Sequence, residues 1–154
     1  MVCQHKCQEF RCFLETVSRS SVAMLGKLMS ADIRFRDPIH DVRGLDKVQN
    51  VYLRLFDMVD SPRFTVTHSA CTDDLCFLRW QFTCRPRLFG RGHPWIVEAV
   101  TALRFDQAGR VREQADYWDA GQHLYERMRL LGPVFRFFRK RRMRAVQAAP
   151  LTCP

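Results

Sequence analysis

The chain has 154 residues, 47% of them hydrophobic and 27% charged, with twelve Phe, which is the size and make-up of one folded domain with a single core rather than a disordered segment. No apolar run approaches the roughly 20 residues that a membrane-spanning helix needs, and Met1 to Arg11 is too polar for a signal-type segment, so a cytoplasmic protein is the expectation. The net charge of +9 is concentrated at the end: from Arg127 onward there are eight basic residues and no acid, which leaves the body at +1.

The seven cysteines at 3, 7, 12, 71, 76, 84 and 153 have neither the even number of a secreted disulfide framework nor a Cys-x-x-Cys pair, and are expected as free thiols. Cys3, His5, Cys7 and Cys12 crowd the N-terminus without a second ligand pair at finger spacing, so no metal and no cofactor is expected.

In chain order, Phe10, Phe13, Leu14, Val17, Met24, Leu25 and Leu28 recur at helical steps between Glu9 and Met29, with a break expected near Gly26. Asp32 to Asp37 alternates polar and apolar and stops at Pro38, a short strand. Asp46 is a candidate cap for a second helix that buries Val48, Val51, Tyr52, Leu55 and Val59 and ends before Ser61-Pro62.

The period then changes to two. Phe64, Val66, His68 and Ala70 are expected on one face of a strand, and Leu78, Trp80, Phe82 and Cys84 on one face of the next. Trp95 to Phe105 is apolar on both sides and reads as a covered strand. Asp106-Gln107-Ala108-Gly109 supplies a turn, and Arg110 to Asp119 returns as the last strand with Gln114, Asp116 and Trp118 on one face. Two helical blocks followed by antiparallel strands predict an α+β fold, helices packed on one face of a bent sheet.

Phe35-Arg36-Asp37-Pro38, His40-Asp41-Val42-Arg43-Gly44 before a helix, Arg79-Trp80-Gln81-Phe82, Leu103-Arg104-Phe105-Asp106 with Gly109-Arg110-Val111, and Asp116-Tyr117-Trp118-Asp119 follow one another in an order that resembles the SnoaL-like branch of the nuclear transport factor 2-like superfamily. The resemblance spans about Glu9 to Arg142. It implies a cystatin-like α+β roll, N-terminal helices on a curved antiparallel sheet enclosing a conical pocket, over residues 1–130, with a basic helix and tail appended over 131–154.

Function varies freely on such a scaffold, so each residue is weighed separately. In the ketosteroid isomerases of this superfamily the base is the Asp of an Asp-Pro ending the first strand, which Asp37-Pro38 matches. The oxyanion donors of that enzyme are replaced here by Phe13 and Thr101, so steroid-type isomerisation is not expected. The cyclases place an acid on the last long strand, near Asp116. Asp37 and Asp116 are therefore the candidate catalytic pair, and Phe13, Phe35, Tyr52, His68, Trp80, Phe82, Thr101, Gln114 and Trp118 the candidate pocket lining for a small apolar molecule. The resemblance also implies homodimerisation through the sheet.

Simpler readings stand beside these. Asp37 before Pro suits a plain turn; Asp116 suits a salt bridge to Arg79, Arg104 or Arg112; the aromatic residues suit a solid core; His68 suits a core histidine. The segment from Phe135 to Arg142 interleaves aromatic and basic residues, and a helix through Arg136–Arg144 suits an anionic membrane surface, nucleic acid, or a docked helix with solvated charge. Neither an enzyme nor a non-catalytic interaction module is excluded by these residues.

Overall fold

The computed structural model describes residues 2–87 and 94–123, with Pro133, Arg136, Phe137 and Lys140; the rest of the basic segment 135–142 lies outside the described residues. The chain divides into two compact units, Met1–Trp118 and Asp119–Pro154. The first contains α1 (Val2–Thr16), a 3-10 turn (Arg19–Met24), α2 (Leu25–Leu28), β1 (Met29–Arg36), β2 (Asp41–Arg43), α3 (Leu45–Met58), β3 (Val59–Cys71), β4 (Leu75–Pro86), β5 (Trp95–Phe105) and β6 (Val111–Trp118). In the second unit the short helix α4 (Ala120–His123) is described.

One open sheet runs β2-β1-β6-β5-β4-β3. The fold is α+β, as the residue pattern predicts, although the sheet is mixed: β1 lies parallel to β6 while the other neighbours are antiparallel. Helix α1 crosses β3 and β4, and α3 lies against β1, β2 and the 3-10 turn.

The first helix begins earlier than its Phe-rich stretch suggests, because Cys3 and Cys7 extend the buried stripe of Phe10 and Leu14 by two turns. The break comes at Ser18, not at Gly26. Ser18 accepts from the Ser21 amide and Ser21 returns a bond to the Ser18 amide, a reciprocal cap that starts the 3-10 turn and satisfies amides a new helix leaves open. Asp46 sits within the first turn of α3, and the cap position belongs to Gly44 at φ 105, a conformation that L-residues with a side chain rarely adopt.

Alternation on β4 and β5 is regular, with Cys76, Leu78, Trp80, Phe82 and Cys84 buried on the one and Val97, Ala99, Thr101, Leu103 and Phe105 on the other. The other face of β5 is not covered as its composition suggests, since Ile96 is 46% exposed.

Edge strand β3 departs most from the expected alternation. Val66 pairs with Trp80 but His68 pairs with Arg79, so Thr67 is an extra residue, and its hydroxyl donates to the Arg79 carbonyl at 3.1 Å. Such a bulge reverses the facing of everything beyond it. Pro62 also lies in β3, at a second irregularity between Asp60 and Arg63, where an edge strand tolerates a missing amide proton. The same edge is closed by α1: Glu15 accepts from the Val66 amide at 2.9 Å and Arg11 donates to the Val66 carbonyl at 3.3 Å. Main-chain groups that would otherwise invite another strand are thereby satisfied.

The expectation of free thiols is corrected at one place. Register sets Cys71 opposite Cys76 where the β3–β4 hairpin opens, and the two form a disulfide. Among the described residues no helix is long and apolar enough to cross a membrane.

Candidate functional site

The register of β5 and β6 sets Thr101 opposite Asp116 and Leu103 opposite Gln114, which brings three polar side chains together on the helix-covered face of an otherwise apolar sheet. Thr101 and Gln114 are both 1% exposed. A buried group of this kind is costly unless its bonds are complete.

The direction of those bonds follows from what each group can do. The Trp80 indole can only donate, and its Nε1 lies 2.7 Å from Thr101 Oγ1; the hydroxyl must accept there, so its own proton goes to Asp116 Oδ1 at 2.6 Å. Gln114 Nε2 donates to the same carboxylate, at 3.0 Å to Oδ1 and 3.2 Å to Oδ2, and to the Tyr52 oxygen at 3.4 Å. Tyr52 descends from α3 and meets Phe13 of α1 edge-on, ring centres 6.3 Å apart. Two of the three distances to the carboxylate therefore fall on Oδ1, and Oδ2 receives only the longer amide contact.

Burial pushes the Asp116 carboxyl up to about 6; the bonds from Thr101 and Gln114 work in the opposite direction, and the charge of Asp37 adds to the rise. Burial also raises the Tyr52 phenol, with the Asp116 charge contributing, so that Tyr52 keeps its proton. The salt-bridge alternative for Asp116 is not what the structure has: Arg79 pairs with Glu98, Arg104 with Asp74 and Glu113, and Arg112 with Asp74. Asp116 is instead held by neutral donors.

Asp37 is placed differently. Its Oδ1 accepts from the amides of Ile39 at 2.7 Å and His40 at 2.5 Å, and Oδ2 lies 3.0 Å from His40 Nδ1. These contacts build the β1–β2 hairpin, the turn role that an Asp before Pro suits. The influence of Asp37 on Asp116 is through its charge. His40 stands three residues after Asp37, a spacing that places its ring beside the carboxylate within the same turn.

The remaining candidates separate into core and surface. Phe35 and Phe82 are buried, Phe82 tilted against Phe64 with ring centres 4.6 Å apart and Phe64 meeting Trp80 edge-on at 5.3 Å. Trp118, opposite Ala99, is partly buried against the core. His68 is corrected: the Thr67 bulge turns it to the exposed face opposite Arg79, away from Asp116. Gln114, expected in the pocket lining, keeps its Oε1 buried without a hydrogen-bond partner.

A family model of the SnoaL-like domain matches residues 10–114. The chain belongs to the SnoaL-like family. Solved structures with the same fold include a hypothetical protein with a ketosteroid isomerase-like fold from Catenulispora acidiphila DSM 44928, in complex with trimethylamine, at 18% identity over 77% of this chain and 88% of that one, TM-score 0.66. A nuclear transport factor 2-like protein of unknown function from Burkholderia pseudomallei K96243 is similar at 13% identity, 79% and 94% coverage and TM-score 0.67. An epoxide hydrolase from M. tuberculosis, of the LEH-like kind, is similar at 10% identity, 82% and 88% coverage and TM-score 0.63. At such identities the likeness is one of fold. A search of curated protein sequences finds no match. The SnoaL-like domain thus carries the expected family assignment and scaffold, with a polar site assembled from its own residues.

Proposed function

We propose that this SnoaL-like domain is a cytoplasmic protein that binds a small, largely apolar molecule against the Asp116 network, with Asp116 as hydrogen-bond acceptor and general base. The observation that carries this reading is the carboxylate of Asp116, set among apolar neighbours and held by Thr101 and Gln114 instead of by a cation. A structural carboxylate would be expected to take an Arg, and the three candidates, Arg79, Arg104 and Arg112, are paired elsewhere.

Asp116 is only half buried although burial dominates its titration. A carboxylate in a recess combines these properties: some of its surface is reachable, yet little water surrounds it. Oδ2 is the oxygen left for a ligand. Tyr52, whose oxygen accepts from Gln114, keeps a proton to donate, so the site offers an acceptor and a donor side by side. That pair fits a carbonyl compound with an acidic neighbouring C–H, or a phenol. A base with a pKa of about 6 is largely ionised at neutral pH and still basic enough to take a proton. Phe13, Trp80 and Trp118 supply the apolar surroundings, and Asp37 tunes the base through its charge.

The test uses small apolar ketones and phenols. Binding should move the Trp80 indole N–H resonance, which reports on Thr101, and should be lost in Asp116→Asn. Deuterium exchange at the carbon beside a ketone should follow ionisation near pH 6 and vanish in the same variant. Unchanged binding and exchange in folded Asp116→Asn would remove the proposal.

A second reading rests on the opposite face. Phe77, Ile96 and Tyr117 are 41%, 46% and 60% exposed, on strands whose register sets Phe77 opposite Ala102 and Tyr117 opposite Val100. We propose this face as the contact of a homodimer, a self-complementary pairing of like patches; light scattering of Tyr117→Asp should read a monomer. The Arg136–Arg144 segment is proposed to touch an anionic membrane surface or nucleic acid, and liposome sedimentation at low and high salt separates the two.

A further inference from the structure

Three sulfur atoms converge at the end of the sheet where the β3–β4 hairpin turns. Cys71 and Cys76 face each other across the hairpin, and Cys76 is fully buried. Cys3, on the first turn of α1, brings its Sγ to 3.3 Å from Cys76 Sγ. All three Sγ atoms lie within 4.8 Å of one another. Their meeting is set by the fold: Cys7, Phe10 and Leu14 bury the same side of α1, and the Arg11 and Glu15 contacts to Val66 fix its position along β3.

A third thiol beside a disulfide has two chemical uses, displacement of one sulfur or shared ligation after reduction. Displacement needs the attacking sulfur on the axis of the bond. A straight line made of the 3.3 Å contact and a bond of about 2.05 Å would hold the outer sulfurs roughly 5.3 Å apart. The outer pair is closer than that, so the sulfurs form a triangle and not a line. A triangle is the arrangement that three ligands of one ion require.

The geometry points to a reduction-gated site for one thiophilic ion, Cu(I), held by the thiolates of Cys3, Cys71 and Cys76. An external dithiol supplies the two electrons and two protons that open Cys71–Cys76 and is itself oxidised to a disulfide. The ion then replaces the three thiol protons, which pass to solvent, and three metal–sulfur bonds form with no change in the oxidation state of copper. Soft thiolates select Cu(I) or Zn(II), and structural zinc takes four ligands. Among the described residues the cluster offers three, which favours the ion content with three.

The experiment reduces the whole protein with a phosphine, removes it without oxygen, and titrates Cu(I) from a chromogenic chelator. One equivalent should transfer, with thiolate-to-Cu(I) absorption in the near ultraviolet, and the disulfide form should take none. Cys3→Ser should weaken the transfer by more than the roughly 10–100-fold that loss of a supporting contact costs, while Cys12→Ser, exposed and outside the cluster, leaves it unchanged. If circular dichroism shows Cys3→Ser unfolded, Cys71→Ser at the strand end must show the same loss. No transfer to the reduced protein, or undiminished transfer in either folded variant, overturns the site.

Discussion

Thr101 and Asp116 face each other across β5 and β6, and the hydroxyl of the first gives its only proton to the carboxylate of the second at 2.6 Å. Because Trp80 donates to the same hydroxyl, the chain of bonds has one direction and ends on Asp116. Replacing Thr101 by Val strands the Trp80 indole N–H and takes one of two donors from Asp116 Oδ1. Thr101→Val should cost about 1–3 kcal/mol in denaturant unfolding and should push the Asp116 carboxyl above 6, read from its carbon-13 titration. Thr101→Ser keeps the hydroxyl and should move the titration little.

Asp116 also predicts how stability depends on pH. Its folded pKa of about 6 lies above the ~3.9 of an unfolded Asp, so the folded state binds the proton more tightly. The fold is favoured below about pH 4, loses stability as pH rises from 4 to 6, and is level above, by on the order of 2–3 kcal/mol from this group. Asp116→Asn should abolish that fall. Chemical denaturation of both proteins between pH 4 and 7 checks it; equal slopes would contradict the buried ionisation.

Two glycines should respond in opposite directions. Gly44 caps α3 at φ 105 with open space where a Cβ would sit, so Gly44→Ala is strained by the backbone alone, at about 1–3 kcal/mol. In α2, a Cβ on Gly26 would meet Leu45 Cδ2 at an ordinary 3.6 Å, and Gly26→Ala should stabilise by about 0.5–1 kcal/mol. Thermal melts of the two variants separate backbone strain from crowding.

His68 sits on the exposed side of the Thr67 bulge. His68→Ala should change stability by less than about 0.5 kcal/mol and leave ketone or phenol binding as it was. A binding defect in that variant would mean that β3 runs in the unbulged register.

The face of β4, β5 and β6 was legible because a period of two, once begun, predicts every later residue, and Gln114, Asp116 and Thr101 follow from it directly. The Thr67 bulge was not, since one inserted residue leaves no compositional mark and reverses all that follows. Cys3 and Cys7 stand in a polar stretch and were expected as free thiols, and only packing reveals them as the first turns of a buried stripe. Pairing of β1 with β6, far apart in sequence, depends on tertiary contacts that no local window contains. Asp37 and Asp116 look alike as isolated acids in the sequence; their bonds separate them, turn amides for the first and buried neutral donors for the second.

Native mass spectrometry of the protein purified from its own host is the most direct measurement of whether the Asp116 network holds a ligand. The account predicts an added small-molecule mass on the wild-type chain that disappears in folded Asp116→Asn. A bare chain in both, or the same added mass on both, would contradict it.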